Sequence, residues 1–292
     1  MNLLEFPLDW QTCTYVMGII NITADSFSGD GLLKQNDRVE AAVNQARQFV
    51  RDGAHILDVG GESTRPGASP VSAEEEMERV LPVIEALATQ GLNVPISIDT
   101  YKASVAEVAL EAGAHWVNDI WGLRADPNMA VVAARHKAPV ILMHNRSKPA
   151  QFELQQRLGG VYVGAEYENL IEDVNRELME SVQVALTAGL PRSHIILDPG
   201  IGFGKTIEQN LYLINHLDRI SELGYPVLLG PSRKYFIGHT LNLPADERVE
   251  GTAAAVSVGI QRGANIIRVH DVKTMSRVAA MTDAIIHCRE VT

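Results

Sequence analysis

Short apolar segments alternate with longer helical patterns eight times along this chain of 292 residues. The segments are rich in Val and Ile, which strands favour, and each is bounded by polar or turn-forming residues. They cover residues 15–21, 55–60, 95–99, 115–119, 139–144, 194–198, 226–230 and 265–270. A helical pattern follows each segment, and Gly, which favours helix C-termini, closes five of them before the next strand: Gly53, Gly91, Gly113, Gly189 and Gly263.

Eight such repeats in a chain of this length predict an α/β protein, a (β/α)₈ TIM barrel that forms a single domain over residues 1–292. The alternative is an open doubly wound sheet, which usually carries G-x-G-x-x-G in its first turn. That turn reads "NITADSFSGDG" here and lacks the motif. The segment 145–165 after the fifth strand is long for a connection of this kind, and either a lid or an elaborated surface loop fits it equally well.

Composition narrows the class of partner. The formal net charge of −11 argues against a nucleic-acid-binding surface, which needs clustered Lys and Arg. The two cysteines, Cys13 and Cys288, are expected to be thiols in a reducing compartment. The N-terminus does not resemble a signal peptide, and no apolar segment approaches the roughly 18 residues of a membrane span. We therefore expect a cytoplasmic protein that acts on small molecules, not on nucleic acid or a membrane.

Polar residues or a glycine-rich turn follow every predicted strand, at the end where TIM barrels build their active sites. A single polar strand end would carry little information, but all eight together predict a site. The set comprises Asn21, the segment "GGESTRPG" (60–67), Asp99, Asn118 with Asp119, Met143 with His144, Asp198, the segment "GPSRK" (230–234), and Arg268 with His270.

The last two strand ends favour an anion. Barrels often bind phosphate with the loops after strands seven and eight, where Ser232-Arg233-Lys234 and Arg268 with His270 occur. Together with the "STR" segment (63–65), these groups predict a bound diphosphate. The alternative is that Arg268 pairs with a local carboxylate and His270 caps a loop.

Asp99, Asn118 and Asp198 have two chemical interpretations. Their oxygens suit Mg²⁺, and the same groups suit the edge of a nitrogen-rich heterocycle, because a carboxylate accepts two parallel N–H bonds and an amide both donates and accepts. The residues alone leave both interpretations open. For Asp58 and Asp119, hydrogen-bond networks inside the core are a sufficient explanation, and no further role is assigned to them.

Seven segments in order along nearly the whole chain resemble the dihydropteroate synthase family. They are "MGIINITADSFSGDG", "ILDVGGESTRPGA", "ISIDTYK", "WVNDI", "ILDPGIGFGK", "GPSRK" and "IIRVHDV". The resemblance implies a (β/α)₈ barrel, usually a homodimer, in folate biosynthesis. It also implies a transferase that joins 4-aminobenzoate to (7,8-dihydropterin-6-yl)methyl diphosphate with Mg²⁺, releasing diphosphate, and a target for sulfonamides.

The resemblance also implies roles for individual residues. The pterin ring would be held by Asp99, Asn118, Asp198 and Lys234, between the apolar walls Met143 and Phe203, with Arg268 against its face. Diphosphate would be bound by Thr64, Arg65, Arg268 and His270, and magnesium by Asn21. Ser232 would receive the carboxylate of 4-aminobenzoate within the anion-binding "SRK" segment that includes Arg233, with Phe27 and Pro66 closing that pocket. The residues expected to act in catalysis are Arg268, His270, Lys234, Thr64 and Arg65.

Two other functions share part of this pattern. A methyltransferase domain that binds methyltetrahydrofolate would use the Asp and Asn set but would have little use for "STR", "SRK" and "RVH" together. A non-catalytic pterin-binding paralogue would be consistent with the first loop, where Ser28-Gly29-Asp30-Gly31 stands in place of the usual family sequence. Pro231, which borders the predicted aminobenzoate pocket, also differs from the usual residue.

Overall fold

The computed structural model describes residues 8–22, 35–63, 70–148, 152–155, 158–162 and 166–288. The strands are β1 Tyr15–Asn21, β2 Ile56–Gly60, β3 Ile96–Asp99, β4 Trp116–Asp119, β5 Val140–Met143, β6 Phe152–Gln155, β7 Gly159–Tyr162, β8 Ile195–Asp198, β9 Leu228–Leu229 and β10 Ile266–Val269. The helices are α1 Gln35–Arg51, α2 Ala73–Ala88, α3 Ala103–Glu111, α4 Met129–His136, α5 Leu170–Thr187, α6 Ile207–Asn215, α7 Asp218–Ser221, α8 Tyr235–Leu241, α9 Val249–Gln261 and α10 Val272–Ile286.

Eight of the strands form one parallel sheet, in the order β8-β5-β4-β3-β2-β1-β10-β9. The sheet curves until its two edges meet, where a parallel bridge joins Leu197 of β8 to Val227, the residue before β9. This confirms the predicted (β/α)₈ barrel, and all eight predicted strands are present. The glycines predicted to end helices have φ angles between +62° and +113°, a region that residues with a Cβ rarely adopt.

Apolar side chains fill the barrel at its N-terminal end. This inner core consists of Leu8, Tyr15, Met17, Ile56, Trp116, Ile141, Ile196, Leu228 and Ile266. A second and larger core lies between the outside of the sheet and the helices, and includes Val16, Leu57, Val117 and Leu197. Because strand side chains alternate between the two faces, residues that point into the barrel recur at every second position.

That alternation places the polar residues above the inner core. Asp58 follows Ile56 by two positions, Asn118 follows Trp116, and Arg268 follows Ile266. Met143 and Asp198 stand in the same relation to Ile141 and Ile196. Each of these five strands therefore contributes first an apolar side chain to the barrel interior and then a polar residue or Met143 to its C-terminal opening.

The long segment after β5 contains a hairpin that the sequence analysis did not predict. Strands β6 and β7 pair antiparallel, apart from the barrel sheet. Tyr162 at the end of β7 is buried, and its ring lies 6.3 Å from that of Tyr235 at the start of α8. The hairpin therefore packs against the helix that follows β9.

Among the described residues, no helix is both long enough and apolar enough to cross a membrane.

Candidate active site

Four residues at the ends of the first four strands are neighbours in the sheet. The register pairs Asn21 with Gly60, Gly60 with Asp99, and Asp99 with Asn118. Gly60 has no side chain, and a Cβ there would lie 3.5 Å from the Cβ of Asp99. Toward the barrel opening, this row therefore presents the amide of Asn21, no side chain at Gly60, the carboxylate of Asp99 and the amide of Asn118.

Arg268 reaches across this opening and joins two carboxylates. Its Nε donates to Oδ2 of Asp58 and its Nη2 donates to Oδ2 of Asp99, both over 2.6 Å. Asp58 is fully buried and also accepts a hydrogen bond of 3.1 Å from the side-chain amide of Asn118. Arg268 thus pairs with carboxylates, as the alternative interpretation held, and Asp58 belongs to a core network, as expected. About 20% of the Arg268 side chain is exposed, so the group remains accessible from the opening.

Burial and neighbouring charges shift the pKa values of Asp99 and Arg268, two members of this cluster. Burial raises the pKa of Asp99 to about 7, with Arg268 opposing that rise and the charge of Asp58 adding to it. Burial disfavours the charge on Arg268, but Asp58 and Asp99 outweigh that effect and raise its pKa above the usual value. Oδ1 of Asp58 and Oδ1 of Asp99 are buried with no hydrogen-bond partner among the described residues. The cluster therefore holds a fixed cation and has spare acceptor atoms.

The opposite side of the opening is formed by the ends of β5 and β8. Met143 and Asp198 are neighbours in register and both are buried. Burial raises the pKa of Asp198, whereas Lys234 and the backbone N–H of Gly200, which donates over 2.7 Å, lower it. The Nζ of Lys234 lies 4.7 Å from the centre of the Phe203 ring. Burial lowers the pKa of Lys234 to about 8, with Asp198 opposing the change.

The segment after β9 divides its three polar side chains among different neighbours. The hydroxyl of Ser232 lies 3.0 Å from Nδ1 of His270 and accepts from the His270 backbone N–H over 3.1 Å. The side chain of Arg233 turns away and donates to Asp271 over 2.8 Å. The structure therefore brings Ser232 and His270 together and places the Arg233 guanidinium on a protein carboxylate.

Lys205 is a buried residue to which the sequence analysis gave no role. Its ammonium lies 3.0 Å from Nδ1 of His144 and donates to the carbonyl oxygens of Gly200 and Phe203 over 3.0 and 3.1 Å. Burial lowers the pKa of Lys205 to about 7. Burial and this ammonium lower the pKa of His144 to about 3. Lys205 thus holds the loop that carries Phe203, and its place at the end of the glycine-rich "DPGIGFGK" is the signal that could have indicated this.

Gly200 is essential to the same loop. Its φ angle is +69°, and a Cβ there would lie 1.9 Å from the carbonyl oxygen of His144.

Asp119, at the end of β4, accepts the backbone N–H groups of Trp121 and Leu123, both over 2.8 Å. As expected, Asp119 therefore shapes the turn after its strand.

Several predicted site residues lie outside the described residues. They are Phe27, Thr64, Arg65 and Pro66, together with Gly29 and Asp30 of the first loop. Their predicted roles stay predictions. Asn21 is described and half-buried at the end of β1, beside Gly60.

A metal ion is compatible with this part of the opening. The amide oxygen of Asn21 is a ligand of the kind that Mg²⁺ accepts, and Mg²⁺ usually completes its shell with water and substrate phosphates. A separate group of possible ligands, Glu107, Glu111 and His136, lies on the outer helices α3 and α4. Glu107 already pairs there with Arg135, so that group resembles a surface ion pair more than a metal site.

Comparisons with known proteins find similar sequences and structures along nearly the whole chain. The model of the family described as pterin binding enzyme matches residues 17–270. The dihydropteroate synthase of Bacillus subtilis is 52% identical over 280 residues, covering 96% of this chain and 91% of that protein. The dihydropteroate synthase of Clostridium difficile, crystallised in the presence of pteroic acid, is 44% identical with a TM-score of 0.87 and covers 97% of this chain and 100% of its own.

A second similar structure contains a smaller ligand. The dihydropteroate synthase of Xanthomonas albilineans with 4-aminobenzoic acid is 39% identical to this chain and has a TM-score of 0.85. The match covers 96% of this chain and 95% of that one.

The variant Arg268→Met tests the central ion cluster. Without the cation, the buried carboxylates of Asp58 and Asp99 lose their charged partner, and breaking such a pair typically costs about 3–5 kcal/mol. Protonation relieves Asp99, whose folded pKa of about 7 rises further without Arg268, so stability falls as the pH rises through it. We expect a larger loss of unfolding free energy at pH 8 than at pH 5.5, measured by urea unfolding.

The control is Arg135→Met, which removes a cation whose side chain is 56% exposed. Exposed pairs contribute little, so this variant should change stability by less than about 1 kcal/mol at both pH values. An equal loss at the two pH values for Arg268→Met would contradict the assigned cluster.

Proposed function

The chain belongs to the pterin-binding enzymes, as a dihydropteroate synthase of folate biosynthesis. From this we propose which residues bind each substrate and act in each step of the reaction. The enzyme condenses (7,8-dihydropterin-6-yl)methyl diphosphate with 4-aminobenzoate to give 7,8-dihydropteroate and diphosphate. The observation that carries the assignment is the ring of buried polar groups around the barrel opening, with Arg268 at its centre.

The pterin is proposed to lie over the inner core, between the two sides of the opening. Asp99 and Asn118 would bind one edge of the heterocycle, and Asp198 with Lys234 would bind the other, because their carboxylates and amide match its N–H and carbonyl groups. Met143 and Phe203 supply apolar contact. This interpretation gives the three strand-end residues to the pterin and leaves the metal to the diphosphate.

The diphosphate is proposed to bind at the ends of β1 and β10. Arg268 and His270 would contact it together with Thr64 and Arg65 from the loop after β2. Asn21 would hold Mg²⁺, which when bound would neutralise charge on the leaving group. Arg268 is already held by Asp58 and Asp99, so it can offer its remaining N–H donors with little loss of conformational freedom.

The reaction then needs one bond to break and one to form. The C9–O bond breaks with its electron pair leaving on the diphosphate, and the positive charge at C9 is delocalised into the dihydropterin. The amine of 4-aminobenzoate is uncharged near neutral pH, attacks C9 and loses a proton. Its carboxylate would be held by Ser232 and the "SRK" segment, which places the amine more than it activates it.

Three further properties are part of the proposal. A cytoplasmic location fits Cys13 and Cys288, which form no disulfide with each other. A single domain fits the run of barrel elements from Tyr15 to Ile286. Sulfonamides are expected to compete with 4-aminobenzoate, since both would use the pocket at Ser232.

A homodimer is proposed through the outer helices α9 and α10. These neighbouring helices expose Val258, Met281, Ile285 and Ile286, of which Met281 and Ile285 are 62% and 63% exposed. Thr282 of α10 lies 3.2 Å from Ser257 of α9, so the four residues are close in space. A second copy of the chain would remove this apolar surface from water.

The dimer is tested by the double variant Met281→Asp with Ile285→Asp. Two carboxylates within the apolar surface would have to be desolvated on association, so we expect a monomer at micromolar concentration by sedimentation velocity. The matched control is Val131→Asp on α4, at a residue that is 58% exposed. A monomeric parent protein, or a variant that stays dimeric, would overturn this choice of surface.

The function is tested by diphosphate release from the purified protein given the dihydropterin diphosphate, 4-aminobenzoate and Mg²⁺. We expect release to require all three and to yield dihydropteroate in equal amount. Asn21→Ala should raise the Mg²⁺ concentration needed for half-maximal rate several-fold. Pterin binding without product would identify a non-catalytic paralogue instead.

Pterin affinity should depend on pH in a bell-shaped manner. Asp99, with a pKa of about 7, must be ionised to accept N–H groups, and Lys234, with a pKa of about 8, must be protonated to donate as a cation. Affinity should therefore fall below pH 7 and above pH 8, measured by calorimetry with 6-hydroxymethyl-7,8-dihydropterin, which lacks the titrating diphosphate. Asp99→Asn should abolish the acid limb and Lys234→Met the alkaline limb, whereas constant affinity from pH 6 to 9 would exclude both roles.

A further inference from the structure

Arg233 has an unusual backbone conformation for a residue with a side chain. Its φ angle is +56°, in the left-handed region that favours glycine. Its neighbours on either side contact different parts of the opening. Ser232 contacts His270 at the end of β10, whereas Lys234 lies against Phe203 in the loop after β8. The reversal at Arg233 therefore directs the side chains on either side of it, Ser232 and Lys234, toward two different proposed substrates.

Two buried residues at the start of α9 hold this backbone. The Arg233 N–H donates to the hydroxyl of Thr252 over 3.1 Å, and the Arg233 carbonyl accepts from Nη1 of Arg248 over 2.9 Å. Thr252 in turn donates its own hydroxyl proton to the carbonyl of Arg248 over 2.8 Å. Thr252 is fully buried and Arg248 is 3% exposed. We call Arg248 and Thr252 together the α9 clasp.

Arg248 also connects the clasp to the rest of the structure. Its Nη2 donates to the carbonyl oxygens of Leu158 and Leu243 over 2.9 and 3.0 Å, so one guanidinium joins the hairpin, the end of α8 and the "SRK" segment. The fit is close, since a Cβ at Gly238 would lie 2.1 Å from Nη2. A planar fork with several donors suits three carbonyls, and a lysine ammonium does not.

We propose that Arg248 and Thr252 are positioning residues of the synthase: by fixing both peptide groups of Arg233, they orient Ser232 toward 4-aminobenzoate and Lys234 toward the pterin. Thr252 holds the peptide N–H that follows Ser232, and Arg248 holds the carbonyl that precedes Lys234. Neither residue is among those assigned to the substrates. The inference rests on the proposed assignment of Ser232 to the 4-aminobenzoate carboxylate.

The test compares Thr252→Val, Thr252→Ser and Ser232→Ala with the parent protein. Valine keeps the shape of threonine but has no hydroxyl, so the N–H beside Ser232 loses its acceptor. We expect Thr252→Val to raise KM for 4-aminobenzoate about tenfold and to change KM for the pterin diphosphate less than threefold. Thr252→Ser keeps the hydroxyl and should stay within threefold of the parent for both substrates.

Arg248→Lys supplies an independent arm. It removes the contact next to Lys234, so we expect KM for the pterin diphosphate to rise at least threefold and KM for 4-aminobenzoate to change less. Hydrogen exchange of the Arg233 amide in the parent protein gives a measurement that does not depend on whether a variant folds. That amide should be protected, and exchange as fast as in an open loop would overturn the clasp.

The outcomes separate the inference from the assignment beneath it. If Ser232→Ala leaves KM for 4-aminobenzoate unchanged, the assignment of Ser232 is wrong. If Ser232→Ala raises that KM and Thr252→Val does not, the assignment stands and the inference fails. If Thr252→Val lowers the melting temperature and raises both KM values to the same extent, Thr252 has a structural role only, and the positioning role is again overturned.

Discussion

The pairing of Arg268 with Asp58 and Asp99 is the interaction around which the opening of the barrel is organised. A guanidinium at this depth is tolerated because two carboxylates oppose it, and Asp58 is tolerated because Arg268 and Asn118 bind it. Removing Arg268 takes the charged partner from both carboxylates at once. The cluster is therefore rigid before a substrate arrives, and a rigid cation is the form in which charge best stabilises a leaving group.

Charges of both signs balance across the opening. Asp58, Asp99 and Asp198 supply three carboxylates, and Arg268, Lys234 and Lys205 supply three cations. Burial moves the pKa values of Asp99, Lys234 and Lys205 to about 7, 8 and 7, close to neutrality. Such shifts are typical of functional sites, because the same burial that strengthens electrostatic contacts disfavours the charged form of each group.

The local sequence was sufficient to predict the strands, the barrel and the end of the barrel at which the candidate site lies. Apolar segments such as 55–60 and 265–270 give the strands, and the alternation along them places Asp58 and Arg268 inside the barrel without any knowledge of their partners. The partners themselves were not predictable. The Arg268–Asp58 pair spans 210 positions, and whether a strand-end arginine meets a ligand or a carboxylate depends on packing that no local pattern records.

The same limit applies to residues that act through the backbone. Lys205 and Arg248 bind carbonyl oxygens, and every residue in the chain has a carbonyl, so the sequence does not show which carbonyls either side chain will bind. The hairpin within 145–165 was equally hidden, although the unusual length of the segment indicated that something was inserted there. The contact between the hairpin and Arg248 exists only in the folded structure, where the barrel brings the two segments together.

The seam of the barrel has a consequence of its own. Between β8 and β9 the sheet is joined by the bridge from Leu197 to Val227, and β9 is two residues long. A barrel opens most readily where the fewest pairs of residues join neighbouring strands. We therefore expect transient local unfolding of the native state to begin between β8 and β9. The segment that carries Ser232 and Lys234 continues directly from that short strand. The contacts from α9 and the hairpin thus stabilise this segment from outside the sheet. They allow the segment to present a fixed binding surface although β9 is too short to hold it alone.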